Sequence, residues 1–105
     1  MAVKKQFDSF EDLLKSSELP ILVDFYAPWC GPCQIMARVL EQVSPQVKDK
    51  AQIVKINTDI YQGLASQYGI HGLPTMMIFK DGKPVDRFEG AVTADQLYER
   101  LQPHI

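Results

Sequence analysis

The two cysteines of the chain, Cys30 and Cys33, lie in the segment Trp29-Cys30-Gly31-Pro32-Cys33, between a strand pattern and a long helical pattern. This position puts Cys30 at a helix N-terminus, where unpaired N–H groups and the helix dipole lower the pKa of a thiol. Pro32 suits the first helical turn, because no hydrogen bond needs its missing N–H there. We therefore predict that Cys30 is the exposed nucleophile. Cys33, one turn further and more buried, would resolve the mixed disulfide.

Two other uses of the cysteine pair are open. A structural disulfide would close a four-residue loop. Closing so short a loop constrains the unfolded chain little and would stabilise the fold by only about 2 kcal/mol. A zinc site needs about four ligands, and only His71 and His104 could join the cysteines, without the spacing of a zinc finger. A C-x-x-C motif inside a β-α-β pattern therefore favours a redox pair.

Asp24 is the second residue whose position suggests chemistry. It interrupts an apolar strand pattern at residues 21–27, which is typical of a strand that is covered on both faces. Burial would raise the pKa of this carboxyl group, and the carboxylate could accept the proton of Cys33. Lys55, on the next predicted strand, is a plausible neighbour. Alternatively, the strand twists and exposes Asp24 to solvent.

A proline directly before a strand, Pro74, marks the third candidate region, with Gly72 and Leu73 before it and Thr75 after it. A cis peptide bond at Pro74 would leave the backbone of Leu73 and Thr75 free to pair with an extended substrate segment. The residues alone favour an ordinary trans turn, since only about 5–6% of X–Pro bonds are cis. Similarly, spacing leaves open whether Trp29 is a partner contact or a core aromatic.

The elements that must position these residues are five strands and four helices in the order β-α-β-α-β-α-β-β-α. The predicted strands are 3–7, 21–27, 52–57, 75–79 and 85–88, and the predicted helices are 10–16, 32–48, 62–68 and 93–101. Strands separated by helices imply parallel pairs, and Asp81-Gly82 predicts an antiparallel hairpin. The fold class is therefore α/β, a mixed sheet with helices on both faces.

Length and charge restrict the remaining possibilities. The 105 residues predict a single domain, and a net charge of -2 gives no reason to expect nucleic acid or an anionic membrane as a partner. The longest apolar run, residues 21–29, is shorter than the ~20 residues of a membrane span. The first seven residues show no secretory signal, so we expect a cytoplasmic protein, or a plastid one if a transit peptide has been removed.

The whole chain resembles the thioredoxin family, in blocks that occur in the family's order and spacing. The matching segments are 23–33, 55–59, 69–75, 79–83 and 89–91. The resemblance implies the thioredoxin fold, a five-stranded mixed sheet flanked by four helices, as one thioredoxin domain over residues 1–105. It also implies reduction of protein disulfides by a monomer that uses no metal and no cofactor beyond the Cys30–Cys33 disulfide.

The resemblance assigns roles to individual residues. Asp24 and Lys55 match the family's buried proton-transfer pair, and Pro74 matches its cis-proline. The positions matched to substrate binding are Trp29, Gly31, Pro32, Gly72, Leu73, Pro74, Thr75 and Gly90.

Several segments look most like y-type thioredoxins of cyanobacteria and plastids, among them residues 4–7, 10–14 and 86–91 and the single residue Gln34. This similarity implies a ferredoxin- or NADPH-dependent thioredoxin reductase as electron donor and targets such as peroxiredoxins. The expected compartment is the cytoplasm of a cyanobacterium or other bacterium, or the plastid stroma.

The chain departs from the usual family pattern at three positions. Gln34 replaces a common lysine, and Arg38 replaces a proline that kinks the long helix, so this helix should bend less. Tyr26 replaces a common tryptophan.

Two rival functions remain. One is a non-catalytic binding subunit, which the intact cysteines argue against. The other is a disulfide oxidase or isomerase, which the reductase-type Gly31-Pro32 pair argues against.

Overall fold

The computed structural model describes residues 9–105, which contain four strands and four α-helices. In chain order these are α1 (Phe10–Ser16), β1 (Ile21–Tyr26), α2 (Gly31–Val47), β2 (Gln52–Asn57), α3 (Gln62–Gln67), β3 (Thr75–Lys80), β4 (Lys83–Glu89) and α4 (Ala94–Leu101). A short 3-10 helix, Gln102–His104, follows α4. The strand predicted at residues 3–7 lies outside the described residues. Over residues 9–105, no helix combines the length and the apolar character needed to cross a membrane.

The sheet has the strand order β2-β1-β3-β4 and is mixed, as predicted. β1 pairs with β2 in parallel and with β3 antiparallel, and the β3–β4 hairpin is antiparallel. The expectation of parallel pairing between strands separated by helices therefore holds for β1 and β2 but is wrong for β3. The central position of β1 matters most for function, because its carboxyl end leads directly to the cysteines.

Local sequence signals explain several element boundaries. Ser9 caps α1 by accepting a hydrogen bond from the Asp12 N–H at 3.1 Å. Thr93 and Gln96 form the predicted capping box of α4, with reciprocal bonds of 3.1 and 3.0 Å. At the predicted hairpin turn, Asp81 and Gly82 both have positive φ, 54° and 80°, which matches the twist of the two strands.

Alternate residues of β1 face two separate parts of the core. Val23 and Phe25 pack on the side of α1 and α3, whereas Leu22 packs with Met36 of α2 and Leu97 of α4. Successive side chains of a strand point to opposite faces, so Asp24 shares the face of Leu22. Asp24 therefore lies on the face of the sheet that is covered by α2, the helix that contains Cys33.

Helix α2 continues through Arg38, as expected from the absence of proline there. However, it contains Pro45 near its C-terminal end, where the proline nitrogen cannot donate a hydrogen bond to the Glu41 carbonyl. The buried stripe of α2 includes Val43 and Val47 on either side of this proline. Burial of that stripe explains why the helix persists past Pro45.

Candidate active site

Cys30 and Cys33 form a disulfide across the first turn of α2, with their Cα atoms 5.2 Å apart. Cys30 is the N-cap residue of the helix, and its sulfur accepts a hydrogen bond from the Cys33 N–H at 3.2 Å. The backbone N–H of Cys30 donates to the Ala27 carbonyl just beyond β1, at 3.2 Å. The structure thus places the Cys30 sulfur at the positive end of the helix dipole, where a thiolate is stabilised in the reduced protein.

Burial does not distinguish the two cysteines. Cys30 is 5% exposed and Cys33 is 4% exposed, so the predicted contrast between an exposed and a buried thiol is wrong. Leu73 and Tyr26 pack against the cluster that the two cysteines form with Ala27. The difference that remains is positional, because Cys30 caps the helix whereas Cys33 lies on its buried stripe with Met36.

Trp29 is a surface residue, so the possibility that it is a core aromatic is wrong. It is 71% exposed, and its indole N–H donates to both oxygens of the Asp59 carboxylate, at 3.1 and 3.3 Å. Asp59 lies in the turn that follows β2, where its own N–H donates to the Asn57 side chain at 2.9 Å. The indole is therefore held beside the disulfide by a residue that the sequence did not identify, because no local motif connects positions 30 residues apart.

The loop before β3 lies against the disulfide. The Leu73–Pro74 peptide bond is cis, so the trans turn favoured by the residues alone is wrong and the conformation implied by the resemblance is the one found. Two hydrogen bonds fix the loop: the Gly90 N–H donates to the Pro74 carbonyl at 2.9 Å, and the Thr75 hydroxyl donates to the Gly72 carbonyl at 2.6 Å. Within residues 9–105, the Leu73 backbone makes no hydrogen bond.

Asp24 is completely buried, so the alternative of a solvent-exposed strand residue is wrong. Neither of its carboxylate oxygens has a hydrogen-bond partner among the described residues. Burial raises the pKa of Asp24 from 3.8 to about 6, against the opposing charge of Lys55, which lowers it. The carboxyl group therefore changes its charge close to neutral pH, as a proton acceptor for a thiol requires.

Lys55 stands opposite Asp24 in the parallel register of β1 and β2, as the sequence predicted for neighbouring strands. It is exposed, and its Nζ atom lies 4.8 Å from the centre of the Tyr26 ring. A cavity of about 130 Å³ is lined by Lys55, Tyr26, Gln34 and Cys33. Lys55 and Cys33 thus line the same cavity.

The described residues contain no group of three or more His, Cys, Asp or Glu side chains that could hold a metal ion. His71, one of the two histidines considered as zinc ligands, is exposed on the loop before β3. A disulfide already joins Cys30 to Cys33. The disulfide is the observation that indicates redox chemistry at the cysteine pair.

Comparison with known proteins assigns the family. The family model described as Thioredoxin matches residues 1–103. The chain belongs to the thioredoxin family. The sequence-based identification of the family and of its fold is therefore confirmed.

The relatives of this thioredoxin-family chain include plant and cyanobacterial proteins. It is 57% identical over 101 residues to "Thioredoxin Y1, chloroplastic" of Arabidopsis thaliana, covering 96% of this chain but 59% of that protein. It is 55% identical over 102 residues to "Thioredoxin-like protein slr0233" of Synechocystis, covering 97% of each chain. The chain thus spans about three-fifths of the plant relative and nearly all of the cyanobacterial one, and the predicted similarity to y-type thioredoxins is confirmed.

Proposed function

We propose that this protein reduces disulfides in target proteins by cycling Cys30 and Cys33 between dithiol and disulfide, as a single thioredoxin domain over residues 1–105. The observation that carries the proposal is the Cys30–Cys33 disulfide at the start of α2, with the Cys30 sulfur as N-cap. A disulfide that closes a four-residue loop stabilises a fold less than one that closes a long loop, whereas the helix N-terminus favours the reduced, thiolate form of Cys30.

The first step forms a mixed disulfide. The Cys30 thiolate attacks one sulfur of the target disulfide, so that a bond from Cys30 to the target forms and the target S–S bond breaks. The leaving sulfur departs as a thiolate and takes a proton from solvent. The role of nucleophile belongs to Cys30 because its sulfur, and not that of Cys33, faces the Cys33 N–H at the helix end.

The second step releases the target. Cys33 loses its proton and attacks the Cys30 sulfur, which restores the Cys30–Cys33 disulfide and expels the second target thiolate. Asp24 is the proposed acceptor of the Cys33 proton, since it is the buried carboxyl group on the sheet face covered by α2. Lys55 is the proposed positioning charge, because it lowers the pKa of Asp24 and keeps the carboxylate available. In total, two electrons pass from the dithiol to the target, whose two expelled thiolates take their protons from solvent, and Asp24 returns the Cys33 proton to solvent.

The surface around the disulfide suits an extended target segment. Trp29, Gly31 and Pro32 are exposed on one side of Cys30. On the other side is the loop before β3, where the Leu73 backbone lacks a hydrogen bond within residues 9–105. A target chain that pairs with this backbone would bring its disulfide to Cys30. The proposed target-binding residues of this side are Gly72, Leu73, Pro74, Thr75 and Gly90.

Each turnover oxidises the protein, so a reductase must return two electrons to the disulfide. We propose a ferredoxin- or NADPH-dependent thioredoxin reductase as donor and peroxiredoxin-like proteins among the targets, acting on a monomer without metal or further cofactor. The names and sources of the relatives support a cyanobacterial or other bacterial cytoplasm or a plastid stroma as the compartment.

The test is reduction of a protein disulfide, such as that of insulin, combined with capture of targets. Cys30→Ser should abolish reduction, whereas Cys33→Ser should retain covalent target capture while failing to turn over. Equal capture by both variants would contradict the assigned roles. A wild-type protein that binds targets but never reduces them would instead be a binding subunit, and one that only oxidises reduced substrates would be an oxidase.

A further inference from the structure

The carboxylate of Glu89 lies over the loop that faces Cys30. Glu89 is the last residue of β4 and stands opposite Thr75 in the β3–β4 register. Its Oε2 atom is 3.0 Å from the point where a Cβ on Gly72 would lie. The next residue, Gly90, is bonded through its N–H to the Pro74 carbonyl at 2.9 Å, which holds the end of β4 against this loop.

Glu89 forms no ion pair with a neighbouring arginine. Glu89 is exposed and forms no salt bridge within residues 9–105. Arg87, two residues earlier on the same face of β4, donates its guanidinium N–H groups to the carbonyl oxygens of Tyr68 and Gly69 instead. Arg100, on α4, is engaged by Asp86 at 2.7 Å. Both guanidinium groups thus make their hydrogen bonds to acceptors other than the Glu89 carboxylate.

On the Trp29 side of Cys30 a second carboxylate is present, whereas the cation of Lys55 lines a cavity together with Cys33 and Gln34. Asp59 is negative and accepts the Trp29 indole N–H, and the residue after Cys33 is the neutral Gln34. A target segment crossing from Trp29 to Gly72 therefore meets one carboxylate that is bonded to the indole and one, Glu89, that is exposed to the segment itself.

From this arrangement we propose that Glu89 is a specificity-determining residue that favours target segments with a lysine or arginine close to the attacked cysteine. The inference rests on the proposed reduction of protein disulfides and concerns the choice of target only. An exposed charge at the edge of a contact acts mainly on the rate of encounter, by attracting the opposite charge and repelling the same charge. The preference should therefore weaken as salt is added.

The experiment uses the reduced full-length protein and two oxidised peptides that differ only in having lysine or glutamate beside the disulfide. We expect the wild type to reduce the lysine peptide about threefold to tenfold faster, as a second-order rate constant at low ionic strength. Glu89→Gln should bring the ratio close to one, and Glu89→Lys should invert it. The matched control is Glu18→Gln, which removes an exposed glutamate before β1, at the opposite end of that strand from Cys30, and should keep the wild-type ratio.

The outcomes separate the two proposals. A lysine preference that survives in Glu89→Gln, or that falls equally in Glu18→Gln, would overturn the role of Glu89 while disulfide reduction stands. A wild-type ratio of one would overturn it as well. Failure of the wild type to reduce either peptide would overturn the proposed function, and the inference with it.

Discussion

Asp24 and Lys55 are register partners on β1 and β2, yet they occupy opposite environments. Asp24 is fully buried, whereas Lys55 is exposed and reaches over the Tyr26 ring. The pair is therefore asymmetric. Desolvation raises the pKa of Asp24, and the positive charge of Lys55 offsets only part of that rise. Such an arrangement keeps a buried carboxyl group close to its titration point, which is a cost for stability and an advantage for proton transfer.

Replacing Asp24 by Asn should raise stability at neutral pH and slow the release of targets. Stability of the wild type falls as pH rises from 3.8 to about 6, because the unfolded carboxyl group loses its proton before the folded one. Urea unfolding should show Asp24→Asn to be about 1–3 kcal/mol more stable than the wild type at pH 8 and nearly equal to it at pH 4. Single-turnover decay of the mixed disulfide should slow on the order of 100-fold.

The Asp24→Asn experiment has a clear contrary outcome. A loss of stability at pH 8 with unchanged decay of the mixed disulfide would make Asp24 a structural partner of Lys55 and not a proton acceptor. The rate of the first attack by Cys30 is the internal control, since the proposed role of Asp24 concerns the second step alone.

Removal of the Lys55 charge should raise the pKa of Asp24 further above about 6. In Lys55→Gln, the pH at which the free energy of unfolding reaches its lower plateau should therefore move upward. The free energy of unfolding at pH 8 should fall by only a few tenths to about 1 kcal/mol, because Lys55 is exposed and its charge is screened by solvent. Urea unfolding from pH 4 to pH 9 measures both. Lys55→Arg should restore the wild-type profile, and Lys50→Gln, at an exposed position after α2, should leave it unchanged. An identical plateau in Lys55→Gln would exclude electrostatic coupling.

Loss of the Asp59 carboxylate should release the Trp29 indole and weaken the reduction of protein disulfides. The bond is exposed, so Asp59→Ala should lower kcat/KM by about twofold to tenfold, with a smaller effect on a small-molecule disulfide that does not span Trp29. Asp59→Asn retains an acceptor oxygen and should recover most of the activity. Trp29 is the one tryptophan of the chain, so its fluorescence emission reports the indole environment directly. Unchanged emission in Asp59→Ala would show that the bond does not hold the ring.

Introducing proline at Arg38 should destabilise α2, which is continuous at this position. Proline in a helix interior removes a hydrogen bond and clashes with the preceding turn, at a cost of about 3 kcal/mol. Thermal unfolding of Arg38→Pro should therefore show a Tm lower by about 10 °C or more, whereas Arg38→Ala should change it little. A higher Tm in the proline variant would mean that the helix backbone is already shaped to accept it.

The sequence by itself determined the features that depend on neighbours along the chain. The Thr93–Gln96 capping box, the Asp81-Gly82 turn and Cys30 at the helix N-terminus involve groups at most three residues apart, so local geometry suffices to predict them. The resemblance to a known family predicted the cis peptide bond at Pro74, which the residue types alone did not favour.

Tertiary structure decided whatever depends on which segments pack together. The antiparallel pairing of β3 with β1, the near-equal burial of Cys30 and Cys33, and the bond from Trp29 to Asp59 arise between residues from different elements. The approach of Glu89 to Gly72 has the same origin. Strand order and loop packing are set by burial of the whole core, a non-directional force that leaves no signal at any single position. The redox motif can therefore be recognised from the sequence, whereas the residues that surround it in space are known only from the tertiary structure.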